Sequence, residues 1–398
     1  MPTNFAKTKS LFNLPEQIIY LDGNSLGPLP KAASTYVKNM MEKKWGELLI
    51  SGWNKDGWMD QPKKVGNRIA KLVGAENDHI IVGDTLSIKI YQALDSALKL
   101  TKNKKIILTD SGNFPSDIYI ADGLIKSLNL GHELQIVEPE QIADSLTDEI
   151  AVLLLTEVDY RTGRKHDMNT LTSRAHELGI LTVWDLAHSA GAIDVQLENC
   201  NVDFAAGCTY KYLNGGPGSP AFLYVSPRHI NTIEPILKGW MGHASPFDFE
   251  EKFIAARGID RMRIGTPPVI ATVSLEAALD IFDKTNMPDI HQKSIELTEV
   301  FITEIEKKCP MLKLASPRDA NLRGSHVSYH FENGYAVIQA LIKSGVIGDF
   351  RAPDIIRFGF TPLFIDKDDV LKAVEILDDI MKNSCWDRPE FKKKQFVT

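Results

Sequence analysis

Short continuous apolar runs recur along the first two-thirds of the chain: HIIVG (79–83), KKIILT (104–109), ELQIVE (133–138), IAVLLLT (150–156), ILTVWD (180–185), VDFAAG (202–207) and AFLYV (221–225). Between several of them the apolar positions switch to helical spacing, over 86–100, 115–129, 139–146 and 168–179. A strand without polar alternation is buried on both faces, and strands alternating with crossover helices build a largely parallel, doubly wound sheet. Ligands in such sheets sit beyond the carboxyl ends of the strands. Before this region, GNSLGPLP (23–30) reads as an arm that feeds a helix starting near Pro30 or Lys31, and SGWNKDGWMDQP (51–62) as a loop with Trp53 and Trp58. After residue 230 the rhythm changes: Gly- and Pro-rich loops at 238–247 and 263–268, a long helix over 269–284, then helices mixed with short strands such as SHVSYHF (325–331). The expected organisation is an N-terminal arm and helix (1–49), a large domain (50–270) with a mostly parallel seven-stranded sheet, and a connecting helix with a smaller C-terminal α/β domain (271–398).

Composition narrows the class. The 398 residues are 43% hydrophobic and 24% charged, values of an ordinary globular protein able to bury a sizeable core. The formal charge of −7 gives no global reason to seek nucleic acid or an anionic membrane. The four cysteines, Cys200, Cys208, Cys309 and Cys385, show no CxxC spacing, which argues against a disulfide framework or a metal site and suits a reducing compartment. No signal-peptide pattern and no run of about 18 apolar residues is visible, so a cytoplasmic protein is expected.

The chemistry concentrates between Asp185 and Gly218. Asp185 ends an apolar strand, His188 follows three residues later, and Lys211 lies in TYKYLNGGPG just after another strand. An aromatic, glycine-rich setting desolvates an ammonium, as a Schiff-base lysine requires. A carboxylate at a buried strand end suits a pyridine nitrogen, the partner that makes pyridoxal phosphate an electron sink. GDTLS (83–87) leads a strand into a helix, whose first N–H groups form an anion site. A phosphate turn, an acceptor Asp and a lysine in that order form the pattern of a fold-type-I pyridoxal-phosphate enzyme.

With GNSLG (23–27), FPSD (114–117), YRTG (160–163), DLAHSAG (185–191), TYKYLNGGPG (209–218), GWMGH (239–243) and RIGTPP (263–268) occurring in order, the chain resembles the kynureninases from residue 23 to IRFGFTPLF (356–364). The resemblance implies pyridoxal 5'-phosphate as cofactor and hydrolysis of L-kynurenine to anthranilate and L-alanine, and less well of its 3-hydroxy form to 3-hydroxyanthranilate and L-alanine, in tryptophan breakdown or NAD synthesis. It implies that Lys211 bonds the cofactor and, with Tyr210 and Asp185, carries the chemistry. Leu86, Ser87, Phe114, Asp117, Thr156, His188, Trp240 and Thr266 complete the implied cofactor site; Ser25, Trp53 and Arg357 are the implied substrate contacts, Arg357 as the carboxylate clamp. Ser87 stands where Thr is common, while Trp53 and Thr266 stand where the animal-type enzymes carry His and Asn, so the chain is similar to the bacterial type that prefers kynurenine. A homodimer with a shared active site is implied too, with Trp240 and Thr266 reaching cofactor or substrate at the interface. The competing readings are a cysteine desulfurase or small-substrate aminotransferase of the same superfamily, and a cofactor-binding regulator without turnover. Desulfurases commonly place His before the lysine, where this chain has Tyr210.

Overall fold

The computed structural model describes residues 2–394. The seven apolar runs form seven strands of one sheet: β1 (Ile80–Val82), β2 (Ile106–Asp110), β3 (Glu133–Val137), β4 (Ile150–Thr156), β5 (Leu181–Asp185), β6 (Phe204–Gly207) and β7 (Phe222–Val225). Their spatial order is β1-β7-β6-β5-β4-β2-β3, parallel except for β7, which runs antiparallel to both neighbours. All seven residues of β4 are buried, as its unbroken apolar run requires. The expectation of burial on both faces fails for β3, which has no buried residue: it is an edge strand, and Glu133 and Gln135 already mark a wet face.

Helices flank the sheet: α1 (Lys31–Asn39), α2 (Gln61–Leu72), α3 (Leu86–Leu100), α4 (Pro115–Leu128), α5 (Met168–Glu177) and α6 (Val269–Phe282). The expected helix over 139–146 is only a 3-10 turn, Pro139–Gln141. That link must return to the start of β4, and so short a segment gains little from helical propagation. The stretch expected to be a loop at 51–62 instead carries a short helical turn, Gly52–Lys55, and the first residues of α2. α2 itself was hidden by its polar residues, although Val65, Ile69 and Leu72 make a buried stripe at helical spacing.

The C-terminal part has a four-stranded antiparallel sheet ordered β8-β9-β11-β10, from β8 (Lys313–Leu314), β9 (His326–His330), β10 (Asp349–Arg351) and β11 (Ile355–Gly359). Helices α7 (Met287–Lys308), α8 (Gly334–Lys343) and α9 (Lys367–Lys382) accompany it. The N-terminal arm crosses to this part: Ile19 and Tyr20 pair in parallel with Val346 and Ile347. The arm thereby brings GNSLG between the two sheets. Among the described residues no helix is long and apolar enough to cross a membrane, and no cluster of three His, Cys, Asp or Glu side chains could hold a metal ion.

Candidate active site

The site is built where the parallel strands end. The chain lays β2 and β3 toward one edge, then returns to place β4 on the other side of β2, the kind of reversal that opens a crevice. Thr156 and Asp185, the last residues of β4 and β5, stand directly opposite one another. Asp185 is buried and accepts a 2.8 Å hydrogen bond from the Ala187 amide. Burial pushes its carboxyl up to about 6; the Lys211 charge, the Ala187 amide and Thr156 hold it from going further. Asp117, in the first turn of α4, is buried beside it. Burial, then the Asp185 charge, drive Asp117 well above the usual carboxylate range. Two adjacent buried carboxyls cannot both ionise, so Asp117 keeps its proton and Asp185 is the one that carries charge.

Lys211 lies on the turn after β6. Its Nζ is 3.3 Å from His188 Nε2 and lies over two rings, 5.9 Å from the centroid of Phe114 and 5.7 Å from that of Tyr210. Burial, then the Lys211 charge, push His188 well below its ordinary value, so its imidazole is neutral. Burial raises the Tyr210 phenol, which therefore holds its proton at neutral pH. Phe114 stays 40% exposed although its neighbours Asn113 and Asp117 are buried, which leaves a ring face open beside the amine. The lysine turn is fixed by the arm: the Gly27 amide donates to the Tyr210 carbonyl at 2.8 Å.

The anion end lies at two helix starts. Thr85 precedes α3 in extended conformation and makes no side-chain cap, so the first amides of this 15-residue helix, Leu86 and Ser87 among them, have no intrahelical acceptor. Ser87 Oγ is 3.0 Å from Ser116 Oγ, which sits at the start of α4. Two helix N-termini thus converge, and each favours negative charge. One turn into α3 the buried Lys89 ammonium donates to Asp84 at 2.8 Å and Gln92 at 3.1 Å.

A second polar cluster faces this crevice from the C-terminal sheet. Arg357 on β11 is paired in register with Asp349 on β10, and its Nε donates to Asp349 Oδ1 at 2.7 Å. Its Nη2 also bonds Asp349 and reaches Ser25 Oγ at 3.0 Å, while Nη1 donates to the Tyr160 carbonyl. The Ser25 hydroxyl donates to Asp349 at 2.7 Å. Asp349, Arg351, Asp22 and Tyr160 were not singled out from the sequence. The signal was there: reading FRAPDIIRFG (350–359) as a hairpin with Arg351 opposite Ile355 puts Asp349 across from Arg357. His326, fully buried with its ring 5.5 Å from that of His188, was missed as well.

Lys211, Tyr210, Asp185, Asp117, His188, Thr156 and Phe114 are therefore one group, Leu86 and Ser87 the anion end, and Ser25 with Arg357 a third part. Three expected residues lie elsewhere in the single chain. Trp53 packs edge-on against Trp58 at 5.7 Å, in a cluster with Met40 and Val273. Trp240 is 38% exposed beside Phe247. Thr266 shares a small cavity with Gly83, Asp84 and Lys89 on the flank of the anion end.

Pyridoxal phosphate fits these parts. Its phosphate needs the free amides and hydroxyls at Leu86, Ser87 and Ser116, its ring a flat partner such as Phe114, its pyridinium a buried carboxylate such as Asp185, and its aldehyde an amine such as Lys211. Fold and site together define a pyridoxal-phosphate-dependent enzyme of fold type I. Solved structures with the same fold include a cysteine desulfurase from Thermococcus onnurineus NA1, with a TM-score of 0.81, 17% identity and coverage of 96% of this chain and 99% of that one. Another is a C-DES mutant with glycine covalently linked to its PLP cofactor (TM-score 0.80, 17% identity, covering 92% and 97% of the two chains). At such identities the likeness shows the fold alone. Sequence relatives are far nearer: a kynureninase of Pseudomonas fluorescens is 44% identical over 402 residues, 99% of this chain and 97% of the relative. A kynureninase of Burkholderia mallei (strain SAVP1) is 44% identical over 400 residues, 99% and 96% of the two chains. Residues 290–377 match the model of the kynureninase C-terminal domain. The chain belongs to the kynureninase family.

Proposed function

We propose that this chain, with pyridoxal phosphate bound at Lys211, hydrolyses the Cβ–Cγ bond of L-kynurenine, taking up one water and releasing anthranilate and L-alanine. The observation that carries the residue assignment is the grouping of a lysine amine, a neutral imidazole, a proton-bearing phenol and a buried carboxylate at adjacent strand ends. Bound cofactor supplies the electron sink that makes the substrate α-carbon acidic. Lys211 then takes the α-proton, its amine held between the Phe114 and Tyr210 rings. Asp185, ionised, would pair with the cofactor's pyridinium nitrogen, while Asp117 stays neutral next to it, so only one negative charge would oppose that cation. The neutral His188 offers a hydrogen bond without adding charge beside the amine. The Tyr210 hydroxyl keeps a proton to deliver to the alanine β-carbon. Ser25 and the Arg357 cluster hold the α-carboxylate end.

We assign the working form to a homodimer. An apolar groove of about 640 Å³ lined by Val37, Trp45, Trp58 and Ile270, and the exposed rings of Phe247 and Phe249 beside Trp240, are surfaces that a second copy would cover. In that assembly Trp53, Trp240 and Thr266 serve the partner's site. Four unpaired cysteine thiols suit the cytoplasm, where tryptophan breakdown would use the enzyme.

Incubating the purified holoenzyme with L-kynurenine tests the reading: anthranilate fluorescence and L-alanine should rise in equal amounts. A keto acid in place of anthranilate would assign an aminotransferase, and cofactor binding without any product a regulator.

A further inference from the structure

We propose that Arg351 is a second ligand of the substrate α-carboxylate, beside Arg357, and sets the requirement for that carboxylate. The inference rests on the kynurenine reading above and extends it to a residue outside the expected set.

The donor inventory of Arg357 motivates it. A guanidinium has five N–H groups. In Arg357 the Nε proton goes to Asp349, the two Nη2 protons to Asp349 and Ser25, and one Nη1 proton to the Tyr160 carbonyl. One N–H is left. Arg357 and Asp349 are each 1% exposed, and separating a buried pair strands a charge. Arg357 alone therefore cannot present a two-pronged face to an incoming carboxylate while it keeps Asp349.

Arg351 supplies what is missing. It stands at the end of β10, two residues from Asp349, with its side chain 35% exposed. Its Nη2 lies 2.7 Å from Asp349 Oδ2 and 3.3 Å from Ser25 Oγ, and its Nη1 donates to the Phe350 carbonyl at 2.9 Å. An Nε proton and an Nη1 proton remain. Ser25, held by both arginines, marks the point between the two guanidinium groups.

Charge and position agree. Two arginines against Asp349 leave one positive charge, the complement of one carboxylate, as long as Asp22 is neutral. Burial and the Asp349 charge raise Asp22 to about 7, which keeps it largely neutral below that pH. The cluster adjoins the amine: Tyr160, whose carbonyl Arg357 binds, packs edge-on at 5.1 Å against Phe114, and Phe114 faces Lys211.

The test uses full-length holoenzyme carrying Arg351→Gln or Arg351→Lys. L-Alanine, which has the carboxylate, and L-alaninamide, which lacks its charge, are titrated while the absorption of the bound cofactor is followed. Arg351→Gln should weaken L-alanine at least tenfold and L-alaninamide less than twofold, and kcat/KM for kynurenine should fall 10- to 100-fold, mostly through KM. Unchanged L-alanine affinity, or equal weakening of both ligands, overturns the proposal. If Arg351→Gln does not fold, Arg351→Lys decides: a three- to tenfold loss for L-alanine alone supports it, and equal effects on the two ligands overturn it. Absence of anthranilate from the unsubstituted enzyme would instead remove the kynurenine reading.

Discussion

Gly27→Ala perturbs the site without touching a reacting group. A Cβ at Gly27 would lie 2.4 Å from Asn214 Oδ1, 2.5 Å from the Lys211 carbonyl oxygen and 2.6 Å from Asn214 Cα. Ordinary contact needs about 3.5 Å, so the arm and the lysine turn must part by about 1 Å. Asn214 cannot easily yield: it sits at φ +56°, its amide bonds the Lys211 carbonyl, and its side chain donates to Tyr212 at 2.9 Å. The Gly27–Tyr210 backbone bond would open as well. Overpacking of this kind costs about 1–3 kcal/mol, and a 1 Å misplacement of a reacting group costs on the order of 100-fold in rate. We therefore expect kcat for anthranilate release to fall about 100-fold with a lowered melting temperature. Gly123→Ala, in α4 with nothing within 4 Å of the added carbon, is the control and should leave both unchanged or slightly improve stability. If Gly27→Ala keeps kcat within about threefold of the parent and melts at the same temperature, the claim that the arm sets the lysine position is wrong.

Lys211→Ala should abolish both turnover and the absorption band of lysine-bound cofactor; normal turnover would remove Lys211 from its assigned role. Asp185→Ala should retain the cofactor yet lose turnover by on the order of 1000-fold, read by cofactor content against anthranilate formation; equal activity with cofactor bound would refute its role. Glu157 follows β4, and burial raises its carboxyl to about 7 with Oε2 unpartnered. A raised folded value means that ionisation opposes folding, so its penalty is absent below about 4.5 and grows as pH rises to about 7. Glu157→Gln should therefore match the parent near pH 4.5 and melt higher above pH 7; parallel melting profiles would refute the assignment. Trp53→His should raise kcat/KM for 3-hydroxykynurenine relative to kynurenine by offering the ring hydroxyl a partner, and an unchanged ratio would take Trp53 out of substrate selection.

The parts that were legible from sequence are those that local rules determine. Seven apolar runs became seven strands of one sheet; six of them are buried strands with no polar alternation to disguise them, and only the edge strand β3 departs from that rule. Asp185 and Lys211 could be picked out because a charged residue at the end of such a run is costly without a purpose. The Asp349–Arg357 pair was not, since it depends on the register of a hairpin far along the chain from the lysine. His326 and Tyr160 escaped for the same reason: their neighbours come from distant segments. Trp53, Trp240 and Thr266 lie outside the group that one chain assembles around Lys211; for Trp240 and Thr266 the resemblance already implied a place at an interface between two copies.

The same fold is shared with cysteine desulfurases at 17% identity, so the sheet alone does not choose the substrate. In this chain the arm makes the choice geometrical. Ile19 and Tyr20 pair with Val346 and Ile347, Ser25 bonds Asp349 and both arginines, and two residues later Gly27 binds the lysine turn. One short segment therefore links the lysine turn to the two arginines, the groups proposed above to take the α-proton and the α-carboxylate. A substrate amino acid has those two groups on a single carbon, so their separation must be held to a fraction of an ångström. Flexible surface connections could not do this; a strut hydrogen-bonded to the C-terminal sheet at Gly359 and Asp349 and to the lysine turn at Tyr210 can. GNSLG is thus best understood as the measure of the site, with Gly27 where backbone must touch backbone and Ser25 where the charges meet.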